Sequence, residues 1–187
     1  MRFPDILRRL KRGPQVMLPK DIGLILAFTG VGRKSLAVDA GAGSGWLAVS
    51  LGNVCKKVVS YERRDDFAQM AEDNVKRAGL ERYVKIKRKD IFEGIEEKEL
   101  DLVTLDMADS DKVLAHAYGA LKVGGMAVGY LPHAEQVQRF VKAAREAGFK
   151  EDFTLECMIR EMLVREAGFR PDTTGLWHTA YLVFAKK

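Results

Sequence analysis

The chain has 187 residues, 47% apolar and 30% charged, the composition of one folded domain and not of a disordered or fibrous chain. Two cysteines, Cys55 and Cys157, are too few for a disulfide framework or a zinc site, no apolar run reaches the ~20 residues of a membrane span, and MRFPDILRRLKRG lacks a signal-peptide core, which points to the cytoplasm. The formal net charge of +5 is concentrated in residues 1–20, where Arg2, Arg8, Arg9, Lys11, Arg12 and Lys20 stand against one acid, Asp5. Residues 1–20 are therefore read as a basic arm suited to a polyanion, or as a docking segment, on a body, 21–187, whose charges balance. Within the arm, Phe3, Ile6, Leu7 and Leu10 fall on one helical face.

From Asp21 onward strand and helix patterns alternate. Ser35–Asp39 is a short apolar run bounded by turn signals, the pattern of a buried strand, and 44–51 is the helix after it. Lys57–Tyr61 is a second strand, and Asp65–Gly79 a helix with an acidic start and a glycine stop. Val84–Arg88 and Asp101–Leu105 are further strands, and Asp109–Leu121 is a helix closed by Gly124-Gly125. Met126–Leu131 is a fifth strand, His133–Ala147 a helix, and two last strands near Phe153–Arg165 and Thr179–Ala185 form an antiparallel hairpin. The fold expected is α/β and Rossmann-like: a mostly parallel seven-stranded sheet with helices on both faces.

Ligands of such sheets sit beyond the carboxyl ends of the strands. There the sequence places a glycine loop, Asp39-Ala-Gly41-Ala-Gly43-Ser44-Gly45-Trp46, and then Glu62, Asp90 and Asp106 after the next strands. Glycines allow close backbone approach, and Glu62, 17 residues after Gly45, is placed to accept from both hydroxyls of a ribose. Asp39, two residues before the first glycine, is placed to meet an amino acid's ammonium group. That favours S-adenosylmethionine over NAD, which has no such group.

The segments RGPQVMLPKD (12–21), VDAGAGSGWLAVSL (38–51), SYERRDDFAQMAEDNV (60–75), LKVGGMAVGYLPHAEQVQRFV (121–141) and GLWHTAYLVFAKK (175–187) resemble the class I methyltransferases, and among them the tRNA (adenine-N1)-methyltransferases of the T-loop adenine, tRNA position 58. The resemblance implies S-adenosylmethionine as cofactor, held by Asp39, Gly41, Gly43, Ser44, Gly45, Trp46, Glu62, Asp90 and Asp106, with Asp90 beside its adenine. It implies Asp106 at the target base, with Tyr130 as a second catalytic residue and Tyr130 and His178 near the pocket. Arg8, Arg9 and Arg12 would then contact RNA, most naturally tRNA, and the chain would be a tetramer or dimer with 21–187 as its single methyltransferase domain. Three departures stand out: the family's small β-rich N-terminal domain has no counterpart before Pro19, Leu18 replaces an aromatic, and the LDxPxPW-type segment reads LDMADSD.

Adenine N1 carries its own lone pair, so in-line methyl transfer needs positioning more than a strong base. A carboxylate at Asp106, accepting from the exocyclic amine, would stabilise the charge that develops on the ring. The plainer reading is that Asp106 caps the next helix. Asp109 and Asp111 read as capping or solvated acids and not as metal ligands, and no acidic pair follows the fifth strand. His178 suits a structural hydrogen bond as well as substrate contact. Two other functions fit the composition: a small-molecule methyltransferase of the precorrin C-methyltransferase type, and an RNA-binding subunit without catalysis. The intact glycine loop and Glu62 weigh against the second.

Overall fold

The computed structural model describes residues 4–187. Five parallel strands run β1 (Leu36–Ala40), β2 (Lys57–Tyr61), β3 (Val84–Lys87), β4 (Leu100–Leu105) and β5 (Leu121–Leu131). With β6 (Glu151–Glu156) and β9 (Tyr181–Lys186) they make a seven-stranded sheet of order β3-β2-β1-β4-β5-β9-β6. Only β9 runs against its neighbours, pairing antiparallel with both β5 and β6. The order reverses between β1 and β4, so the crevice above their carboxyl ends is the ligand position.

Successive residues of each central strand point to opposite faces, and both faces are buried. Ala37, Val58, Leu102 and Leu182 pack into one core, Val38, Val59, Val103 and Val183 into the other. This two-sided burial is why the strands read as continuous apolar runs and not as alternating ones. Helices α2 (Pro19–Thr29), α3 (Trp46–Gly52) and α4 (Asp65–Arg77) lie on the first side; α5 (Leu114–Ala120) and α6 (Ala134–Ala147) lie on the second. The amphipathic α4 has acids in its first turn and Lys76 and Arg77 in its last, complementing the helix dipole.

The structure revises four expectations. The 109–121 helix begins as a 3₁₀ turn, Ser110–Val113, and becomes α5 only at Leu114, with Asp109 in the left-handed region at φ 58°. Strand β5 starts at Leu121, and Gly124-Gly125 is a bulge inside it, not a helix stop. A Cβ on Gly125 would lie 2.7 Å from the Leu100 carbonyl, so glycine lets β4 pass. The run 153–165 is not one strand. It breaks after β6, and its second part, β7 (Met162–Arg165), pairs with β8 (Gly168–Pro171) in a separate two-stranded sheet. Finally, the arm is helical only over α1 (Asp5–Arg8). Of its apolar stripe, Leu7 and Leu10 are buried and Ile6 packs against the same core; Phe3 and Arg2 lie outside the described residues.

Candidate active site

The loop after β1 turns through three left-handed glycines, Gly41, Gly43 and Gly45, with φ of 85°, 53° and 78°. At Gly41 the absence of a side chain is obligatory, since a Cβ would come 2.1 Å from the Asp106 carbonyl oxygen. The loop therefore presses directly on the end of β4. Its far side is tied down as well: the Gly41 and Ala42 N–H groups donate to the Tyr61 carbonyl at 3.1 and 3.2 Å. Glu62 clamps it further, one carboxylate oxygen accepting from the Gly43 N–H and the other from the Arg64 N–H, both at 3.0 Å. Each oxygen keeps a free lone pair. Glu62 shares a hollow with Gly41, Arg63, Asp90, Phe92 and Met107. There Asp90 accepts from the Phe92 N–H at 3.1 Å and meets the Arg63 guanidinium at 3.4 Å.

Beneath the loop stand two acids. Asp39 is only 1% exposed; its oxygens accept from Ser60 Oγ at 2.6 Å and Thr104 Oγ1 at 2.8 Å. Burial raises its carboxyl above the usual range, and the two hydroxyls offset part of that rise. Asp106 opens partly onto the crevice, yet dense surroundings and then the charge of Asp39 push it up to about 7. Two crowded carboxylates lining one crevice with Gln15, Gly43 and Ser44 form a site that favours a cation. S-adenosylmethionine, with a sulfonium and an ammonium group, fits that donor set; a nicotinamide dinucleotide offers no such pair of charges. The Ser44 side chain packs 3.2 Å from where a Cβ of Gly13 would stand, and its carbonyl accepts from Asn74 Nδ2 at 2.8 Å. Among the described residues no group of three or more His, Cys, Asp or Glu stands in metal-binding geometry, and no helix is long and apolar enough to cross a membrane.

Several expected residues do other work. The Trp46 side chain is buried in the core, its Nε1 donating to the Lys11 carbonyl at 3.1 Å. Asn74 holds the same residue, accepting from the Lys11 N–H and donating to its carbonyl, both at 2.8 Å. The arm is thus stitched to the helices beside the glycine loop. Arg8 pairs with Asp5 at 3.4 Å, and Arg9 is exposed. Arg12 lines a cavity of about 360 Å³ with Leu18, Arg160, Asp172, Leu176 and Trp177. His178 is a clasp: Nε2 meets the Pro132 carbonyl at 3.0 Å and Nδ1 meets Glu156 at 2.6 Å. The Pro132 carbonyl first, and Glu156 second, raise its pKa above the ordinary value. With both nitrogens engaged it joins the ends of β5 and β6 and has no nitrogen left for a substrate.

Tyr130 donates to Asp21 at 3.3 Å, within a network that the sequence did not reveal. Lys20 and Asp21 form a buried ion pair at 2.7 Å. Lys20 Nζ also reaches the Cys157 carbonyl at 2.7 Å and Thr179 Oγ1 at 2.6 Å, and Thr179 donates to Asp21 at 2.9 Å. Burial, followed by the charges of Asp21 and Asp106, keeps the Tyr130 phenol protonated. The available signal was the Pro19-Lys20-Asp21 triplet itself: two opposite charges opening an otherwise apolar helix.

This strand order, a glycine loop after β1, an acid after β2 and paired carboxylates in a cation-favouring crevice define a class I S-adenosylmethionine-dependent methyltransferase. Residues 7–175 match the family described as the tRNA methyltransferase complex GCD14 subunit, and the chain belongs to that family. It is 36% identical to the tRNA (adenine(57)-N(1)/adenine(58)-N(1))-methyltransferase TrmI of Methanocaldococcus jannaschii, over 97% of this chain and 75% of that protein. A SAM-dependent O-methyltransferase structure from Thermotoga maritima superposes with TM-score 0.93 at 33% identity, covering 98% of this chain and 71% of that one. The tRNA (m1A58) methyltransferase TrmI of Aquifex aeolicus superposes with TM-score 0.89 at 27% identity, covering 97% and 73%.

Proposed function

We propose that the chain methylates N1 of an adenine in the T-loop of tRNA, with Asp106 as the residue that faces the base. The observation that carries this reading is the position of Asp106: at the end of β4, against Gly41, its carboxyl pushed up to about 7 beside Asp39. S-adenosylmethionine supplies an electrophilic methyl group. The chain's residues do the rest. Glu62 would offer its remaining lone pairs to the ribose hydroxyls while holding Gly43, and Asp90, in the same hollow, would meet the adenine. A cation in the crevice stabilises both carboxylates, so Asp106 is ionised when the acceptor arrives. As a carboxylate it accepts from the exocyclic amine of adenine and stabilises the positive charge that grows on the ring. The target base must leave its stack to reach the crevice. Tyr130, a phenol held by Asp21 within reach of the Asp106 charge, supplies a fixed polar group. Residues 21–187 act as the catalytic domain in the cytoplasm. Incubation with methyl-labelled cofactor and tRNA transcripts, followed by nucleoside mass spectrometry, tests the reading. 1-Methyladenosine at position 58 supports it, whereas label on a carboxylate, a hydroxyl or a small-molecule carbon overturns it.

The arm belongs to the same reading. Arg9, Lys11 and Arg12 are exposed and make no ion pair within the described residues. Changing Arg8, Arg9, Lys11 and Arg12 to glutamine is expected to weaken tRNA binding and lower the salt slope by about 0.7–0.9 per lost phosphate contact. Cofactor affinity should stay unchanged, because only the backbone of Lys11 touches Trp46 and Asn74. Binding isotherms across a salt series check this, and an unaltered slope reduces the arm to a docking segment.

A homo-oligomer, tetramer or dimer, completes the proposal. Met162, Val164 and Phe169 lie on one face of the β7–β8 pair and are 42%, 78% and 66% exposed, an apolar surface that a neighbouring subunit would cover. Light scattering should give a multiple of the 20.9 kDa chain mass; a monomer at working concentration removes this part.

A further inference from the structure

At the carboxyl end of β3 cations are neutralised internally: Lys87 pairs with Glu96 and Glu97, Arg88 with Asp65 and Glu72, and Lys89 with Glu93 and Glu96. At the opposite end of the sheet, beneath the amino ends of β1, β2 and β3, they are not. Arg33, Lys34, Lys56 and Arg82 are exposed there, and none of them forms an ion pair within the described residues. Lys57 Nζ only touches the Arg82 carbonyl, at 3.2 Å. Glu81 is the one acid in the 79–85 turn, and it too is exposed.

Of these cations, Arg33 and Lys56 line a groove of about 600 Å³ together with Gly32, Asn53, Leu80 and Tyr83, and Arg82 directly precedes Tyr83 in the chain. The groove does not belong to the methyl-transfer site. Five-residue strands of roughly 17 Å separate it from the glycine loop. It is nevertheless joined to the arm by unpaired charge. Lys11 is bonded to Asn74, the Arg77 guanidinium donates to the same Asn74 at 3.2 Å, and the chain from Arg77 leads through Leu80 into the groove. Exposed Lys76 and Arg77 thus stand along the chain between Asn74, which holds the Lys11 main chain, and the groove.

Uncompensated like charges on one surface repel one another and lower stability unless a polyanion covers them. We propose that the groove lined by Arg33 and Lys56, with the exposed Arg82 next to its Tyr83 wall, is a second RNA-binding surface, which grips the phosphate backbone of the tRNA body away from the target base. It rests on the tRNA reading above and adds where the rest of the substrate lies. A helical track of phosphates suits spaced, exposed cations that fix register without reading sequence.

The test uses the triple variant Arg33→Gln, Lys56→Gln, Arg82→Gln in the full chain, with two fluorescent RNAs: a whole tRNA transcript and an isolated T-arm hairpin too short to span both sites. Binding anisotropy over a salt series should show whole-tRNA affinity falling about five-fold or more and the salt slope falling by about 2–3, from roughly 0.9 per lost duplex contact. Hairpin affinity, cofactor affinity and kcat at saturating tRNA should match the parent. Unchanged whole-tRNA affinity and slope, or an equal loss for hairpin and tRNA, overturns the second surface. The unmodified chain's methylation of tRNA is scored separately. Failure there overturns the substrate reading, while the anisotropy data still decide whether this groove binds RNA.

Discussion

Replacing Glu62 by alanine should abolish measurable cofactor binding without unfolding the chain. Two ribose hydrogen bonds to a carboxylate contribute about 3–6 kcal/mol together, from about 1.5–3 each. That corresponds to roughly two to four decades in Kd. The structure adds a second loss, since the Gly43 and Arg64 N–H groups also lose their acceptor. The glycine loop, tied elsewhere through the Tyr61 carbonyl and Asn74, should loosen. Glu62→Gln keeps an acceptor for Gly43 and should fall between the two. Calorimetric titration with S-adenosylhomocysteine reads the effect, and circular dichroism checks the fold. Wild-type affinity in the alanine variant would place the cofactor elsewhere.

Asp106→Asn should lower turnover by about 10²–10³, the range seen when one group that stabilises transition-state charge is removed. Cofactor affinity should change by less than about ten-fold, because Asp39 and Glu62 remain. The pH profile is the sharper reading. In the free protein Asp106 titrates near 7, so kcat/KM measured at limiting cofactor should rise with pH through about 7. The asparagine variant should lack that inflection. Stability should move in the opposite direction. The folded value lies above the ordinary 3.8, so ionising Asp106 opposes folding. The variant should then melt above wild type at about pH 8, with the gap closing toward about pH 4. Near-normal turnover with an unchanged profile would reduce Asp106 to a structural acid.

Legibility followed locality. Strand β2 falls on Lys57–Tyr61 as expected, because an apolar run bounded by polar residues has one buried reading. The glycine loop was equally plain, since three left-handed turns demand glycine. The start of β5 was hidden because Leu121 follows a helix directly, and a double glycine serves a bulge as readily as a stop. The β7–β8 pair was hidden because exposed Val164 and Phe169 mimic core residues in a run of letters. At the candidate site, position alone places Glu62 and Asp106 at their strand ends, but does not show the burial and then the neighbouring Asp39 charge that raise the Asp106 pKa. The Lys20–Asp21–Thr179 network lay furthest out of reach: its members stand 158 positions apart, and no short-range pattern couples them.

The position of β9 bears on how the chain is made. It is synthesised after β6 yet inserts between β5 and β6, and it is the only antiparallel strand in the sheet. Until it emerges, β5 offers an open edge and β6 has no partner strand. Lys20, meanwhile, waits beside Asp21 without Thr179. An edge left unpaired from Leu131 until Tyr181 is made is a template for mispairing with other nascent chains. The growing polypeptide therefore passes through a long vulnerable interval on the ribosome, closed in one step when the final strand slots into place.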